Sequence, residues 1–505
     1  MDDKGIPAAW QQTMADWSAR RTMALAMGGE CKLTKQRRQG RGDARQRLER
    51  LVDPDSFREF GTLVGGIERV EQPIAPADGI VTGFALLDGR PVLIGAEDFT
   101  VQGGSIGFGA HAKRLRLAQL ALQERCPLIL LLEGAGERAS NSLQRHPYAP
   151  NDLQLLAQLK GKVPTVAVVM GPSAGHGALS GVLLDLVIMV EGSSLFAAGP
   201  PLVAKALGEQ ISAEALGGAS IHTRHSGVGH NRVADESQAV AAVRQFLHYL
   251  PQNAWQRPQR RVGGGDEGKR ALAEIFTLVP RDNNQPYEIR AVIQALVDDG
   301  RYFELQPEYG RSMVLALARL AGQSILIVAN QPMVMAGTIN KAAATKAAYF
   351  LELAADFHLP VLFLADNPGV LPGSAAEREG TLAAAGQMYL AQSRLRAAKL
   401  HVTLRKAYGF GSSVMGMNPF DQQTMTLAFP GLSFGGLPSQ GGSEAAGMDS
   451  EAAARMAQRE QQAAWSAADT LAFDEIIDPR SLRNALIDGL VLAQGRLDEG
   501  AQPRG

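Results

Sequence analysis

Glycine-rich loops at two places in each half of the chain contain the residue types that can hold a negative charge on backbone amides. One pair follows apolar, strand-like runs at 133–136 and 366–369, and the other is Gly175-His176-Gly177 and Gly409-Phe410-Gly411. Glycine permits positive φ, and the first amides of a following helix lack intrahelical partners. Two such amides aimed at one oxygen form an oxyanion hole. The candidate donors are Ala135, Gly136, His176 and Gly177 in the first half, and Gly369, Val370, Phe410 and Gly411 in the second.

The loops occur in the same order in both halves, at a nearly constant offset. The offset is 233 or 234 residues for four pairs of positions: Gly89 and Gly322, Pro127 and Pro360, Gly136 and Gly369, and Gly175 and Gly409. The apolar stripe of one helix repeats as well, because Leu115, Ala118 and Leu122 have the apolar counterparts Ala348, Leu351 and Ala355. Two copies of one fold with ordinary turn glycines would explain the repeat alone. Charge-holding loops at the same place in both copies favour a duplicated catalytic site.

Short apolar runs of strand length alternate with amphipathic helices from about Gly79 onward. This alternation predicts an α/β fold rather than an all-helical or all-β chain. Between the halves, the segments 250–258 and 262–266 contain Pro, Gly and charged residues without periodicity, which is typical of a linker. We therefore predict two domains, at 1–255 and 280–505.

Composition indicates a soluble, cytoplasmic enzyme. The 505 residues carry a formal net charge of −1, which gives no electrostatic footprint for nucleic acid. The two cysteines, Cys31 and Cys126, are too few for a structural zinc site or a disulfide framework. The first residues are wrong for a secretory or transit peptide, and the apolar run at 163–170 is too short to span a bilayer. Neither nucleic acid nor a membrane is an expected partner.

Two other chemistries compete for the glycine loops. Nucleotide binding is disfavoured, because the chain has neither a GxxxxGK[ST] loop nor a convincing GxGxxG after its first strand. The segment 171–175 does match G-x-S-x-G around Ser173, so a serine hydrolase is a minor alternative. Its histidine would have to come from downstream, where His358 and His401 lie in strand-like or core-like runs, and the second half has Ala407 in place of the serine.

Ordered motifs over almost the whole length resemble the carboxyltransferase (β) subunits of biotin-dependent acyl-CoA carboxylases, of the propionyl-CoA/acetyl-CoA carboxylase type. The matching segments are 44–57, 78–83 (DGIVTG), 98–105 (DFTVQGGS), 216–219 with 226–230, 284–287, 328–333, 368–373 (PGVLPG) and 405–409 (RKAYG). So many motifs in the correct order are far more specific than any single glycine loop.

The resemblance implies two crotonase-like β-β-α superhelix domains, produced by internal duplication. It implies that the N-terminal domain binds acyl-CoA, with Ala135, Gly136, His176 and Gly177 near the thioester oxygen. The C-terminal domain of another subunit would bind carboxybiotin, with Gly369, Val370, Phe410 and Gly411 near the ureido oxygen. Further substrate-binding positions are Lys113, Gly103, Gly104 and Ser413. Lys113 would contact a CoA phosphate, with a solvated helix lysine as the alternative, and Ser413 stands where propionyl-type members have an acidic residue that shapes the acyl pocket.

The implied reaction needs neither a metal nor a protein acid or base. Carboxybiotin loses CO2, the ureido nitrogen takes the α-proton of the thioester, and the enolate held in the first hole attacks CO2. The chain has neither an ATP-grasp pattern nor a Met-Lys-Met biotinylation site, so a biotin carboxylase and a biotin carboxyl carrier protein are the expected partners. Members of the family form dimers that assemble in threes, so we expect a homo-hexamer.

Several positions depart from the family pattern. Where the family has SGGAR, this chain has residues 134–138, which include Ala135 and Glu137. Where the family has GGA after RKAY, it has Gly409-Phe410-Gly411. The family's GIIRHGA corresponds to residues 380–386, which lack the arginine. These changes leave the acyl group unidentified. They also keep open two alternatives: a decarboxylase subunit that runs the reaction in reverse, and a catalytically silent paralogue that only scaffolds an assembly.

Overall fold

The computed structural model describes residues 6–68, 73–142, 151–261, 263–436, 439–498 and 501–503. The chain divides into two compact units, Met1–Arg244 and Gln245–Gly505. The division falls within helix α10 (Glu236–Tyr249), whereas the linker composition begins at about 250 and the predicted first domain ends at 255.

In the described part of the first unit, seven strands form one sheet and two short strands pair beside it. The sheet order is β1-β2-β3-β4-β5-β7-β9; β1, β2 and β3 are antiparallel, and the strands from β3 onward are parallel. The strands are β1 (Arg58–Phe60), β2 (Ile80–Leu87), β3 (Arg90–Glu97), β4 (Leu128–Leu132), β5 (Thr165–Val169), β6 (Pro172–Ala174), β7 (Leu186–Val190), β8 (Ser194–Phe196) and β9 (Asn231–Val233).

The helices of the first unit include α4 (Phe108–Gln123), whose apolar side chains are buried against this sheet. The helices of this unit are α1 (Ala8–Leu25), α2 (Glu30–Arg38), α3 (Ala44–Leu51), α4 (Phe108–Gln123), α5 (Leu153–Leu159), α6 (Gly175–Val182), α7 (Pro200–Leu207), α8 (Ala213–Gly217) and α9 (Ala219–Ile221). Leu117 and Ala118 of α4 pack with Leu130 of β4 and Val169 of β5 in one buried cluster. Every residue of β4 and β5 is buried, as expected of parallel strands covered on both faces.

The second unit has a sheet of the same design in its described residues. Its order is β10-β11-β12-β13-β14-β15-β17, with β16 paired to β14, and again the first three strands are antiparallel and the others parallel. The strands are β10 (Tyr302–Leu305), β11 (Met313–Leu320), β12 (Gln323–Asn330), β13 (Val361–Asn367), β14 (Lys399–Tyr408), β15 (Met425–Ala428), β16 (Ser433–Gly435) and β17 (Glu475–Ile476).

The helices of the second unit include the counterparts of α4 and α6. The helices of this unit are α11 (Ile275–Leu278), α12 (Ile289–Leu296), α13 (Lys341–Asp356), α14 (Ser374–Glu379), α15 (Thr381–Ser393), α16 (Gly409–Val414), α17 (Ser439–Ala445), α18 (Ser450–Gln461), α19 (Ala463–Asp469), α20 (Leu482–Leu492) and α21 (Gln494–Asp498). Phe350 and Leu351 of α13 are fully buried.

The repeat extends from whole elements to single dihedral angles. Strands β2 and β3 and helix α4 recur as β11, β12 and α13 with both ends displaced by 233 residues. Unusual left-handed residues recur in pairs: Asp88 (φ 50°) and Ala321 (φ 52°), and Gln102 (φ 51°) and Met335 (φ 50°). Non-glycine residues adopt this conformation only where the surrounding structure enforces it. The mixed α/β class predicted from the alternation of elements is therefore confirmed.

Across the described residues, no helix has both the length and the hydropathy that crossing a bilayer requires.

Candidate active site

The loops after β3, β4 and β5 lie at the carboxyl edge of the parallel strands in the first unit, where ligands bind in open α/β sheets. Gly136 has φ of 83°, and a Cβ built on it would lie 2.7 Å from the carbonyl oxygen of Ala174. Helix α6 begins at the next residue, Gly175. The structure therefore brings Gly136 against the start of α6, the helix turn that contains His176 and Gly177.

The amides of this cluster differ in availability. The Gly136 amide makes no backbone hydrogen bond in the described part of the chain. The amides of His176 and Gly177 belong to the first turn of α6, where N–H groups have no i→i−4 partner within the helix. The Ala135 amide instead donates to the carbonyl of Gly103 at 3.0 Å. Ala135 must therefore be removed from the set of oxyanion donors, because a neighbouring turn already uses its N–H. The first amides of α6 also lie at the positive end of the helix dipole, which favours an anion there.

Gly103 and Gly104 shape the loop from the other side. Both belong to a 3-10 turn, and a Cβ on Gly104 would lie 2.4 Å from the carbonyl oxygen of Glu133. The turn thus packs directly on the loop after β4 and fixes it through the bond between Gly103 and Ala135. Contact of these two glycines with substrate stays a prediction.

Buried ion pairs hold the loop after β4 in place. Glu133 is fully buried and pairs with Arg41 and Arg47. Its amide donates to the carboxylate of Glu97 at 2.8 Å, and Glu97 pairs with Arg114 at 2.9 Å. Burial raises the pKa of Glu97, although the Arg114 guanidinium opposes that shift. The carboxylates thereby tie the ends of β3 and β4 to helices α3 and α4.

A histidine–carboxylate cluster lies beside the first hole, and the sequence analysis missed it. Nε2 of His176 lies 2.5 Å from Oδ1 of Asp152, and Nε2 of His111 lies 2.9 Å from Oε2 of Glu137. The two imidazole rings meet edge to face with their centroids 5.1 Å apart. Arg114 binds the second oxygen of Asp152 at 3.0 Å.

Only one signal in the sequence could have indicated this cluster. His111 and Arg114 are three residues apart and so share a face of α4, which marks that face as polar. Asp152 and His176 come from other elements, and only the folded sheet brings them there. The ligand atoms of His111, Asp152 and His176 lie within 4.8 Å of one another, but the guanidinium on Asp152 opposes a cation at this point.

A cavity of about 750 Å3 opens next to the loop after β4. Gln102, Ser105, Ala135, Glu137 and Arg138 are among the residues that line it. Its volume is in the range of small-molecule sites, and Arg138 is held in its wall by Asp78 at 2.6 Å. The cavity therefore adjoins the loop that contains Ala135 and Gly136.

Both predicted roles of Lys113 are wrong. The residue is buried, and its ammonium donates to the carbonyls of Ala77, at 3.0 Å, and Ile80. Lys346 repeats the arrangement in the second unit, where it donates to Tyr309 and Met313 at 2.7 and 2.6 Å. Burial lowers the pKa of Lys113 to about 8 and that of Lys346 to about 7. Each lysine therefore connects its own helix, α4 or α13, to the segment at the start of the long antiparallel hairpin of that unit.

Replacing Lys346 by Met should change the pH dependence of stability. The folded pKa of about 7 lies below the ordinary 10.5, so the unfolded chain binds more protons between these values and stability rises with pH. The wild type should gain up to about 1.4 kcal/mol per pH unit relative to the variant. Urea unfolding at pH 7, 8 and 9 measures this difference. The same change at Lys341, which is exposed on the same helix, should leave the slope unaltered, and parallel pH curves for Lys346→Met would refute the assignment.

The second unit builds a similar pair of loops. Gly369 has φ of 119°, and a Cβ on Gly411 would lie 2.8 Å from Cα of Gly369. The Val370 amide makes no backbone hydrogen bond in the described part of the chain. The amides of Phe410 and Gly411 belong to the first turn of α16 and so have no i→i−4 partner within the helix. The Gly369 amide, by contrast, donates to Oδ1 of Asn367 at 3.0 Å, so its predicted role as a donor also needs correction.

Charged and polar groups support this second loop as they do the first. Asp366, at the end of β13, pairs with Arg405 of β14 at 2.7 Å, and both are buried. Ser413 is half-buried on α16, and its carbonyl accepts a hydrogen bond from Gln392 at 2.7 Å. The Phe410 side chain is 53% exposed, which leaves an apolar ring at the mouth of the loop.

The serine hydrolase alternative finds no support. Ser173 is completely buried, and its hydroxyl has no hydrogen-bond partner among the described residues. His401 is buried between the carbonyl of Met415 and the hydroxyl of Thr403, and His358 bonds to the carbonyl of Ala254. No base therefore activates this serine in the described structure.

Known proteins match the chain over nearly its full length. The carboxyl transferase domain family matches residues 35–496. The methylmalonyl-CoA decarboxylase subunit alpha of Veillonella parvula is 33% identical, with 94% of each chain covered. The propionyl-CoA carboxylase carboxyltransferase subunit of Haloferax mediterranei is also 33% identical, over 94% of this chain and 95% of its own.

A solved structure gives the same result in three dimensions. The transcarboxylase 12S structure, a hexamer with methylmalonyl-coenzyme A bound, superposes with a TM-score of 0.91 at 31% identity, covering 99% of this chain and 98% of its own. The chain therefore belongs to the carboxyl transferase family and is a carboxyltransferase, as its resemblance to the carboxyltransferase subunits of biotin-dependent acyl-CoA carboxylases predicted.

Proposed function

We propose that this chain transfers a carboxyl group between carboxybiotin on a carrier protein and the α-carbon of an acyl-CoA. One observation carries the proposal: two duplicated units each hold unpaired backbone amides around a left-handed glycine, Gly136 in one and Gly369 in the other. The two anions of such a reaction, a thioester enolate and a biotin ureido anion, need two oxyanion holes. A crotonase-like origin of both units fits this duplication.

The first hole is assigned to the thioester. The amides of Gly136, His176 and Gly177 would bind the thioester oxygen as negative charge develops on it. The cavity lined by Gln102 and Arg138 would hold the adjoining part of the acyl-CoA and keep water from the enolate. Because these donors are fixed before substrate binds, they stabilise the transition state without reorganisation.

The second hole is assigned to biotin. When bound, carboxybiotin supplies CO2 and a ureido nitrogen that can accept a proton. The amide of Val370 and the first-turn amides of Phe410 and Gly411 would fit a ureido oxygen, and the exposed Phe410 ring offers an apolar surface beside it. In the proposal these residues bind and orient the ring and stabilise the negative charge on its oxygen. Ser413 is proposed to shape the acyl pocket.

The expected assembly follows the same proposal. The chain would work with a biotin carboxylase and a biotin carboxyl carrier protein, as a homo-hexamer like the transcarboxylase 12S assembly. The Veillonella relative, a decarboxylase subunit, is as similar as the Haloferax carboxylase subunit, so the reverse direction is the second candidate. A cytoplasmic location and the absence of a resident metal remain predictions.

A coupled assay tests the proposal directly. The purified chain is mixed with a biotin carboxylase, biotinylated carrier, ATP, bicarbonate and a panel of short, branched and polar acyl-CoAs, and carboxylated thioesters are detected by mass spectrometry. Product that depends on the biotin of the carrier is expected, and carrier protein without biotin is the matched control. In the opposite direction, free biotin should promote decarboxylation of malonyl-CoA or methylmalonyl-CoA. Complex formation with the carrier but no conversion in either direction would instead support the silent scaffold.

A further inference from the structure

The proposed function leaves the His176 and Asp152 side chains without a role, although they lie beside the first hole. In the carboxyl transfer described above, only the backbone amide of His176 acts, and the ureido nitrogen of biotin accepts the α-proton. A histidine paired with a buried aspartate beside an enolate site is, however, the arrangement that general acid–base catalysis employs. Its geometry therefore bears on how the proton moves in this chain.

Hydrogen bonding fixes the tautomer of His176. Nε2 lies 2.5 Å from the carboxylate oxygen of Asp152, so this nitrogen carries the proton and donates it to the carboxylate. The lone pair is then on Nδ1. That atom has no partner among the described residues and is not one of the fully buried polar atoms, while the whole side chain is 12% exposed. Nδ1 is thus the atom of this ring that can accept a proton.

Asp152 is held as an anion. Burial by itself raises the pKa of Asp152, but Arg114 and His176 outweigh it and lower the pKa below its ordinary value. Arg114 clamps the carboxylate at 3.0 Å and also binds Glu97 and the hydroxyl of Ser180. An ionised, immobile carboxylate orients the imidazole and stabilises the imidazolium that forms when Nδ1 takes a proton.

The position of His176 suits the α-carbon of a thioester. His176 is the second residue of α6, so its side chain starts from the same turn whose amides form the hole. A thioester oxygen bound by these amides has its α-carbon only two covalent bonds away. His111, whose Nε2 lies within hydrogen-bond distance of Glu137 in the cavity wall, meets the His176 ring edge to face and confines it.

We propose that His176, positioned by Asp152, transfers the α-proton of the bound acyl thioester, so that the first unit enolises its substrate without biotin. Nδ1 takes the proton, the C–H electron pair forms the enolate double bond, and the carbonyl π pair moves to the oxygen held by Gly136 and Gly177. In the reverse step the imidazolium returns a proton to the α-carbon. When CO2 leaves a malonyl-type thioester, a His176 ring that has first taken a proton from solvent on Nδ1 can give that proton to the α-carbon of the enolate that remains. This inference rests on the assignment of the first hole to the acyl-CoA.

Hydrogen–deuterium exchange at the α-carbon isolates this step. The full chain is incubated with acetyl-CoA or propionyl-CoA in D2O, without biotin, carrier or ATP, and α-deuterium is followed by mass spectrometry. The wild type should catalyse exchange. His176→Gln, which keeps a donor for Asp152 but has no basic nitrogen, should slow it by about 100-fold or more. The matched control His225→Gln alters an exposed histidine of the same unit and should exchange at the wild-type rate.

A second variant separates chemistry from folding. His176→Gly should be as slow as His176→Gln, and added imidazole should restore its exchange, whereas imidazole should not rescue Asp152→Asn, because that variant retains its histidine. Exchange at the wild-type rate in His176→Gln would overturn the proposal, as would loss of wild-type exchange on chelation, which would assign the cluster to a metal. A wild type that carboxylates acyl-CoA in the coupled assay but shows no exchange overturns this inference alone. A wild type with neither activity on any thioester overturns the proposed function as well.

Discussion

Alanine at Gly136 or at Gly411 is expected to lower carboxyl transfer by about 100-fold or more, the size of effect measured when one oxyanion donor is lost. The new Cβ at Gly136 would lie 2.7 Å from the Ala174 oxygen, and φ of 83° adds backbone strain. At Gly411 the Cβ would meet Cα of Gly369 at 2.8 Å. Both contacts are with backbone, so the loops must separate and the amides lose their convergence on one oxygen. The coupled assay with saturating carrier and acyl-CoA measures the loss in kcat.

A strained glycine outside the loops controls for general damage. Gly192 has φ of 78° and no atom within 4 Å of a built Cβ, so Gly192→Ala imposes a similar dihedral cost without closing a hole. It should keep nearly full activity. Size-exclusion profiles should match among the three variants, and cooperative thermal unfolding of each should show that the loss of activity is not loss of the fold. Near-normal turnover in both Gly136→Ala and Gly411→Ala would contradict the two-hole assignment, whereas a loss in only one would restrict it to that unit.

The fold could be predicted because its information is local and repeated. Alternating apolar runs and helices indicate α/β layers, and an offset of 233 residues between glycines such as Gly89 and Gly322 already marks the ends of elements that recur in the structure. Glycine marks the turns between these elements in the sequence, because such a turn requires a residue with positive φ. The buried lysines could not be predicted. Lys113 looks solvated in sequence, and only the carbonyls of a turn far from it along the chain explain its burial.

The candidate site was predictable in its backbone but not in its hydrogen bonds. Glycine spacing located the loops, yet whether an amide is free depends on neighbours. The partner of Ala135 is Gly103, which belongs to a distant turn, so no local rule could exclude Ala135. The hydrogen bond of the Gly369 amide could have been predicted, because Asn367, two residues earlier, is a residue type whose side chain accepts from a nearby backbone amide. The pair of His176 and Asp152 joins two elements that only the sheet brings together.

Breaking the buried ion pair under the second loop should cause the largest loss of stability. Asp366 and Arg405 are 1% and 3% exposed and lie 2.7 Å apart, and the same guanidinium stacks on Tyr287 with its carbon 4.6 Å from the ring centre. Asp366→Asn leaves the arginine charge buried without a carboxylate. Removing one partner of a buried pair costs about 3–5 kcal/mol, so the unfolding transition that involves this unit should shift down by roughly 10 °C. Calorimetry and urea unfolding measure the change.

An exposed ion pair in the same unit provides the matched comparison. Glu451 and Arg455 form an i,i+4 pair on α18 with exposures of 82% and 59%, so Glu451→Gln should leave the transition almost where it is. A double variant distinguishes charge burial from simple loss of packing. If the unpaired guanidinium is the cause, Asp366→Asn combined with Arg405→Met should cost less than the two single changes added together, because neither charge is left alone. Additive costs would instead mean that Arg405 stabilises the unit mainly through the carbonyls of Asp282 and Gln285, to which it donates at 2.6 and 2.8 Å.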